Sequence, residues 1–262
     1  MKAWFVTILG AVVCVGMILA GCKKDNSQKD RLKSTRLFTM DSVAGEIVEL
    51  NAKSGAELNR FLAPGLGISG LDCGLAYDSV TGILFFHDSI VDPTVIWKID
   101  PDDPDPTGTA TTIPSLDTDY VGLSHDGTFL MALRPDVPNE GIVWVNPDTG
   151  TYIKTVVYPS TVDLEDALAG EGSVLFAAGY DPSVPENVIY QLDLLGNAGC
   201  PLTTGIPGFD PRGLGYANGF LFIADMGNSQ ILVADMEAGG NIINAFPIQG
   251  ATSTCGLAAG SK

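Results

Sequence analysis

Asp72, Asp119, Glu165 and Asp210 each stand two or three residues ahead of a Gly-Leu or Ala-Leu pair, and Asp41, Asp88 and Asp225 each close a short apolar run. Carboxylates brought together from several strands are oxygen ligands suited to a hard cation such as Ca²⁺. A cation held that way polarises a carbonyl and activates water, the chemistry of metal-assisted hydrolysis. The competing role is structural. An Asp at the end of a strand accepts backbone N–H bonds and caps the turn that follows.

Other chemistry is thinly represented. His87 neighbours Asp88, and His125 ends an apolar segment. An imidazole beside a carboxylate can act as a base, and the two rings would face one another across neighbouring repeats. No serine or cysteine sits in a nucleophile motif with a base at hand, so both histidines read as packing residues. The run Asp100-Pro-Asp-Asp-Pro-Asp-Pro-Thr-Gly108 has the acidity of a calcium loop. Its prolines break the alternating ligand spacing and no Glu closes it, so it reads as an elongated acidic turn.

These residues must be positioned by a repeat. The leucines Leu75, Leu123, Leu168, Leu214 and Leu257 recur at steps of 48, 45, 46 and 43 residues. A second series follows, opening at Arg36 and continuing at Ile83, Phe129, Val174 and Phe220. A third runs Glu46–Asn51, Val95–Asp100, Ile142–Asn146, Val188–Asp193 and Ile231–Asp235. A weaker fourth includes Thr151–Val157 and Asn241–Phe246. The runs are short, rich in β-branched and aromatic residues, and bounded by Gly, Pro, Asn and Asp, so they read as strands. No segment sustains a helical period. Four strands every 43 to 48 residues predict an all-β fold, a β-propeller of four-stranded blades.

The body opens on a second strand at Arg36 and ends on a first-strand motif at Gly256–Ala259. Five blades result if the C-terminal strand completes the opening blade and removes its exposed edge; the alternative is a truncated larger propeller. Cys73 and Cys255 both directly precede a Gly-Leu pair. Closure makes their blades neighbours, so the two readings are a Cys73–Cys255 disulfide at the seam with Cys200 unpaired, or two small cysteines packed near the axis. Connections between second and third strands share a face with those between fourth and first strands. That face would carry the acidic positions above. It would also carry the proline-rich insertions Ser89–Thr94, Arg134–Glu140 and Tyr180–Asn187.

The motifs Gly74-Leu-Ala-Tyr-Asp78, Phe220-Leu-Phe-Ile-Ala-Asp225 and Val95-Ile-Trp-Lys-Ile-Asp-Pro101 resemble those of the NHL, YVTN and gluconolactonase-like propeller superfamily. The resemblance covers residues 36–262. It implies the fold and leaves the function open, because such rings include lactonases, lyases and non-catalytic binding proteins.

Ahead of the body, Lys2 precedes an apolar run from Ala3 to Ala20 that ends in Leu19-Ala-Gly-Cys22. A basic start, an apolar middle and small residues before the cut form a secretory leader. This version resembles the bacterial lipoprotein signal. The resemblance implies cleavage before Cys22, a diacylglyceryl group on its sulfur and acylation of the new N-terminus. Lys23 in the next position points to the outer membrane under the sorting rule of enteric bacteria. The expected organisation is a signal peptide over 1–21, a lipidated flexible tether over 22–35 and a propeller over 36–262. Residues 23–35 have almost no apolar content and read as disordered.

The chain carries a formal charge of −17. All but two of its 31 acidic residues, against 7 of its 14 Lys and Arg, lie beyond residue 36, which gives the body −22. Such a surface repels nucleic acid and anionic lipid heads. Contact with membrane is expected through the lipid alone. The sequence thus describes an envelope propeller that binds a protein or small molecule on its acidic loop face without chemistry of its own. The alternative is a metal-dependent hydrolase or lactonase.

Overall fold

The computed structural model describes residues 26–64, 73–88, 95–103, 106, 108–112, 120–134, 141–158, 163–181, 186–199, 201–248 and 256–262. A helix, α1 (Asn26–Lys33), precedes β1 (Thr35–Asp41), β2 (Glu46–Asn51) and β3 (Glu57–Leu62). The second sheet is β4 (Cys73–Asp78), β5 (Ile83–Asp88), β6 (Val95–Ile99) and β7 (Thr109–Thr112). The third is β8 (Val121–His125), β9 (Leu130–Arg134), β10 (Gly141–Val145) and β11 (Tyr152–Val157). Next come β12 (Asp163–Glu171), β13 (Val174–Asp181) and β14 (Glu186–Leu192). The last full set is β15 (Pro211–Ala217), β16 (Phe220–Asp225), β17 (Gln230–Asp235) and β18 (Asn241–Pro247), and β19 (Leu257–Ser261) ends the chain. All pairing is antiparallel, and the five sheets form the blades of a propeller.

Closure follows the expected route. β19 pairs with β1, Thr35 opposite Ser261 and Thr39 opposite Leu257, so the opening blade reads β19-β1-β2-β3 from axis to rim. The fourth blade differs from the rest. Its fourth-strand position is taken by two isolated bridges, Ile189 to Leu202 and Leu192 to Ala198.

Burial explains the sequence pattern. The inner strands β1, β4 and β16 are buried along their whole length, because a neighbouring blade covers each face. The rim strand β3 is exposed at most positions. The core is therefore a ring of inter-blade layers, such as Phe38, Met40, Leu75, Leu84 and Phe86 between the first and second blades.

The recurrent Gly-Leu pairs build the axis. A Cβ on Gly74 would fall 2.7 Å from Leu123 Cγ, and one on Gly213 would fall 3.0 Å from Leu257 Cβ. Each glycine thus admits the leucine of the next blade. Leu75, Leu123, Leu168, Leu214 and Leu257 converge on an axial space of about 10 Å³, lined also by Arg212 and Cys73. That volume is about one water.

The stretch expected to be disordered is ordered from Asn26 onward. α1 packs beneath the first and fifth blades, at the end carrying the first-to-second and third-to-fourth strand turns. Leu32 enters the apolar cluster of Leu37, Phe220 and Phe222. The Arg31 guanidinium lies 4.5 Å from the Phe220 ring centre, donates to the Asn218 carbonyl at 2.9 Å and pairs with Glu237 at 2.8 Å. Gln28 donates to Asp235 at 2.8 Å, and the Lys262 N–H donates to the Ser34 carbonyl at 2.7 Å. Mean polarity concealed one apolar anchor and one well-partnered cation, which suffice to dock two turns of helix.

Candidate functional site

The two ends of the ring have different chemistry. The face opposite α1 carries the second-to-third and fourth-to-first connections and is called the loop face. The other is the turn face. Every third strand ends on the turn face in an Asn or Asp whose side chain caps the turn. The Asn51 Oδ1 accepts from the Lys53 and Ser54 N–H groups, and Asn146 Oδ1 from Asp148 and Thr149. Asp193 Oδ1 accepts from Leu195 and Asn197, and Asp235 Oδ1 from Glu237 and Ala238. Asp100 does the same for Asp102.

On the loop face the carboxylates singled out by sequence are largely engaged one by one. Asp41 accepts from the Ala44 N–H at 3.1 Å and from Arg60 at 3.1 Å; Arg60 also binds Glu46 and Glu57. Asp225 is fully buried. Its Oδ1 accepts from the Asp210 N–H, and its Oδ2 from Asn228 and Gln230 side chains at 2.9 and 3.1 Å. Asp210 pairs with Arg212 Nε at 2.9 Å at the mouth of the axis. Glu165 is exposed, within an irregular stretch of β12 between Leu164 and Leu168. Asp72 and Asp119, like Cys22 and Cys255, lie outside the described residues, as does the side chain of Asp88. Asp41, Asp210 and Asp225 thus serve turns and ion pairs in the described structure. Among the described residues no group of three His, Cys, Asp or Glu side chains could hold a metal.

The histidines do not face one another. His87 pairs with Gly74 at the loop-face end of β4, whereas His125 lies at the turn-face end of β8. His125 Nδ1 accepts from the Gly127 N–H at 3.2 Å, 3.7 Å from Asp78, and its ring stacks on Phe85. Burial holds its pKa below the ordinary histidine value, and the nearby Asp78 and Asp126 charges oppose that shift only in part. With an N–H donated to it, Nδ1 carries no proton. Cys73 is disulfide-bonded, and its partner lies outside the described residues.

The loop face also holds a feature that sequence located only in outline. A cleft of about 500 Å³ opens between the β13–β14 hairpin and the segment leading to β15. Tyr180, Asn187, Ile206, Pro207 and Phe209 line it, with Gly205 and Gly208. The Asn187 side-chain amide donates to the Phe209 carbonyl at 3.0 Å and fixes one wall. The size lies within the roughly 300–1,000 Å³ of small-ligand clefts. Tyr180 and Asn187 are the two ends of the insertion singled out by sequence, whose residues 182–185 lie outside the described residues. The other wall, a Gly-Ile-Pro-Gly turn, reads in sequence only as a loop.

No family model matches the sequence, and no curated protein matches it. Solved structures match the fold. A chain in the crystal structure of a nidogen/laminin complex aligns at 14 % identity with a TM-score of 0.53, over 86 % of this chain and 98 % of that one. A functionally unknown protein from Desulfotomaculum acetoxidans DSM 771 aligns at 13 % identity and a TM-score of 0.41, covering 81 % and 66 %. A catalytically inactive virginiamycin B lyase from Staphylococcus aureus with quinupristin aligns at 14 % identity and 0.45, covering 83 % and 68 %.

Proposed function

We propose that the protein is an exported, lipid-anchored propeller that binds a partner on its loop face and performs no chemistry of its own. The observation that carries this reading is the contrast between the axis and the face. The axial space holds about one water, while the loop face offers a cleft of about 500 Å³ lined by Tyr180 and Asn187. The cleft walls mix polar and apolar surface, with the Tyr180 and Phe209 rings, Ile206 and Pro207 beside one fixed amide, which suits an extended peptide whose apolar side chain is flanked by hydrogen-bonding groups. The structural neighbour from the nidogen/laminin complex is itself part of a protein assembly, the mode of action proposed here.

The anchor reading rests on the Leu19–Cys22 box. On that reading the protein stands in the bacterial envelope, and Lys23 after the cysteine supports the outer membrane under the enteric sorting rule.

The test is photo-crosslinking in the producing cell. A photoreactive residue replacing Ile206 should yield a discrete adduct, and the same residue replacing Val80 on the turn face should not. Equal adducts from both positions, or none from Ile206, would refute binding at the cleft.

A further inference from the structure

Resting on the anchor reading above, we infer that α1 is a strut that fixes the orientation of the ring, holding the turn face toward the membrane and presenting the loop face outward. Cys22 lies four positions before Asn26. However that segment is arranged, four peptide steps span at most about 14 Å. A flexible tether over 22–35 would have let the ring tumble. The docked helix removes that freedom, because the chain becomes part of the body at Asn26.

The docking is specific to one face. Arg31 binds the Asn218 carbonyl in the β15–β16 turn and Glu237 in the β17–β18 turn. Gln28 binds Asp235, which caps that second turn. Leu32 is 7 % exposed, inserted among Leu37, Phe220 and Phe222. Thr35 then starts β1 at the turn face and accepts from Asn218 Nδ2 at 2.9 Å. An acyl group on Cys22 is thereby confined near the turn-face end of the first and fifth blades. The cleft and Asp210 sit at the opposite ends of the strands. The occupant of the turn face is thus the lipid surface itself, held there by the anchor rather than by charge. Glu237 and Asp148 on this face are each paired with a cation, Arg31 and Lys98, so the orientation is argued from the anchor and the docked helix alone.

The experiment uses the full lipidated protein in vesicles containing spin-labelled lipid. In a Cys200→Ser background, a fluorophore is attached at Lys53→Cys or at Val43→Cys. These positions flank opposite ends of β2, Lys53 on the turn face and Val43, 56 % exposed, on the loop face. The Lys53 label should lose most of its emission and the Val43 label should keep it. Equal quenching of the two labels overturns the proposal. Undocking α1 with Arg31→Ala and Leu32→Asp should abolish the difference while the protein stays vesicle-bound; a difference that survives undocking overturns the role of α1. The anchor is read separately. If Cys22→Ser protein partitions into vesicles as the wild type does, the lipid reading falls and the orientation falls with it, whereas equal quenching in a Cys22-dependent protein refutes orientation alone.

Discussion

Thr39 Oγ1 donates to the Gly256 carbonyl at 3.3 Å, a bond between residues 217 positions apart. The Met40 N–H donates to the same carbonyl at 3.2 Å. The ring is closed by these contacts and by Leu257, which is buried in the cluster of Leu37, Phe220 and Phe222. Leu257→Ala should cost about 2–5 kcal/mol, a fall in Tm of roughly 2–4 °C per kcal/mol for a body of this size. Deleting residues 254–262 should abolish cooperative unfolding, because it strips the inner strand from the first blade. Thermal melts followed by near-UV circular dichroism check both.

The Cys73 disulfide should prove to be Cys73–Cys255. A Cβ on Gly256 would lie 3.4 Å from the Cys73 sulfur, so the residue after Cys255 runs beside it. Cys200 follows Gly199, whose N–H bonds to Gln191 on the outer edge of the fourth blade. Bridging a loop of this length contributes about 5 kcal/mol in the chain-entropy model. Non-reducing peptide mapping should return one linked pair and an alkylatable Cys200. A Cys73–Cys200 peptide would overturn the assignment.

Arg36 and Glu49 form a buried two-point pair, Nε to Oε1 at 2.9 Å and Nη2 to Oε2 at 3.0 Å. Arg36 also reaches Asp102 at 3.0 Å, linking the first blade to the second. Glu49→Leu alone leaves a buried guanidinium short of its main partner and should cost about 3–5 kcal/mol. The double variant Arg36→Met, Glu49→Leu should recover much of that loss. Urea denaturation of the two variants measures the difference.

Acid should weaken the ring through His125. Its folded pKa lies below the ordinary value because burial disfavours the imidazolium. The unfolded chain therefore binds the proton more readily, and stability rises with pH through this range. The contribution of His125 is complete above its unfolded pKa of about 6.5 and is lost as pH falls from there toward the depressed folded value. His125→Gln should flatten the dependence of Tm on pH below about 6.5. An unchanged slope in that variant would assign the acid sensitivity to other groups.

The blades were legible because Leu75, Leu123, Leu168, Leu214 and Leu257 each perform the same task at the axis, so the task leaves a period in the sequence. Strand limits followed; Cys73–Asp78 and Glu46–Asn51 are bounded in the structure as their motifs suggest. The site was less legible because a carboxylate's role depends on partners from other elements. Asp41 is engaged by Arg60 on β3, and Asp225 by Asn228 and Gln230 beyond the end of its own strand. Nothing in the spacing of acids distinguishes these uses from metal binding. Residues 26–33 were misread for a related reason. A composition average weighs Leu32 as one apolar residue among many polar ones, whereas docking depends on where that one residue points.

The leucine plug makes the ring a disc rather than a tube. Among the described residues its axis has room for about one water, which keeps the chemistry of its two faces apart. A partner seated on the loop face is held about one strand length, roughly 20 Å, from whatever the turn face touches. It feels that second contact only through the movement of the body as a whole. The fold then acts as a spacer of fixed thickness. Its two sides are free to change independently.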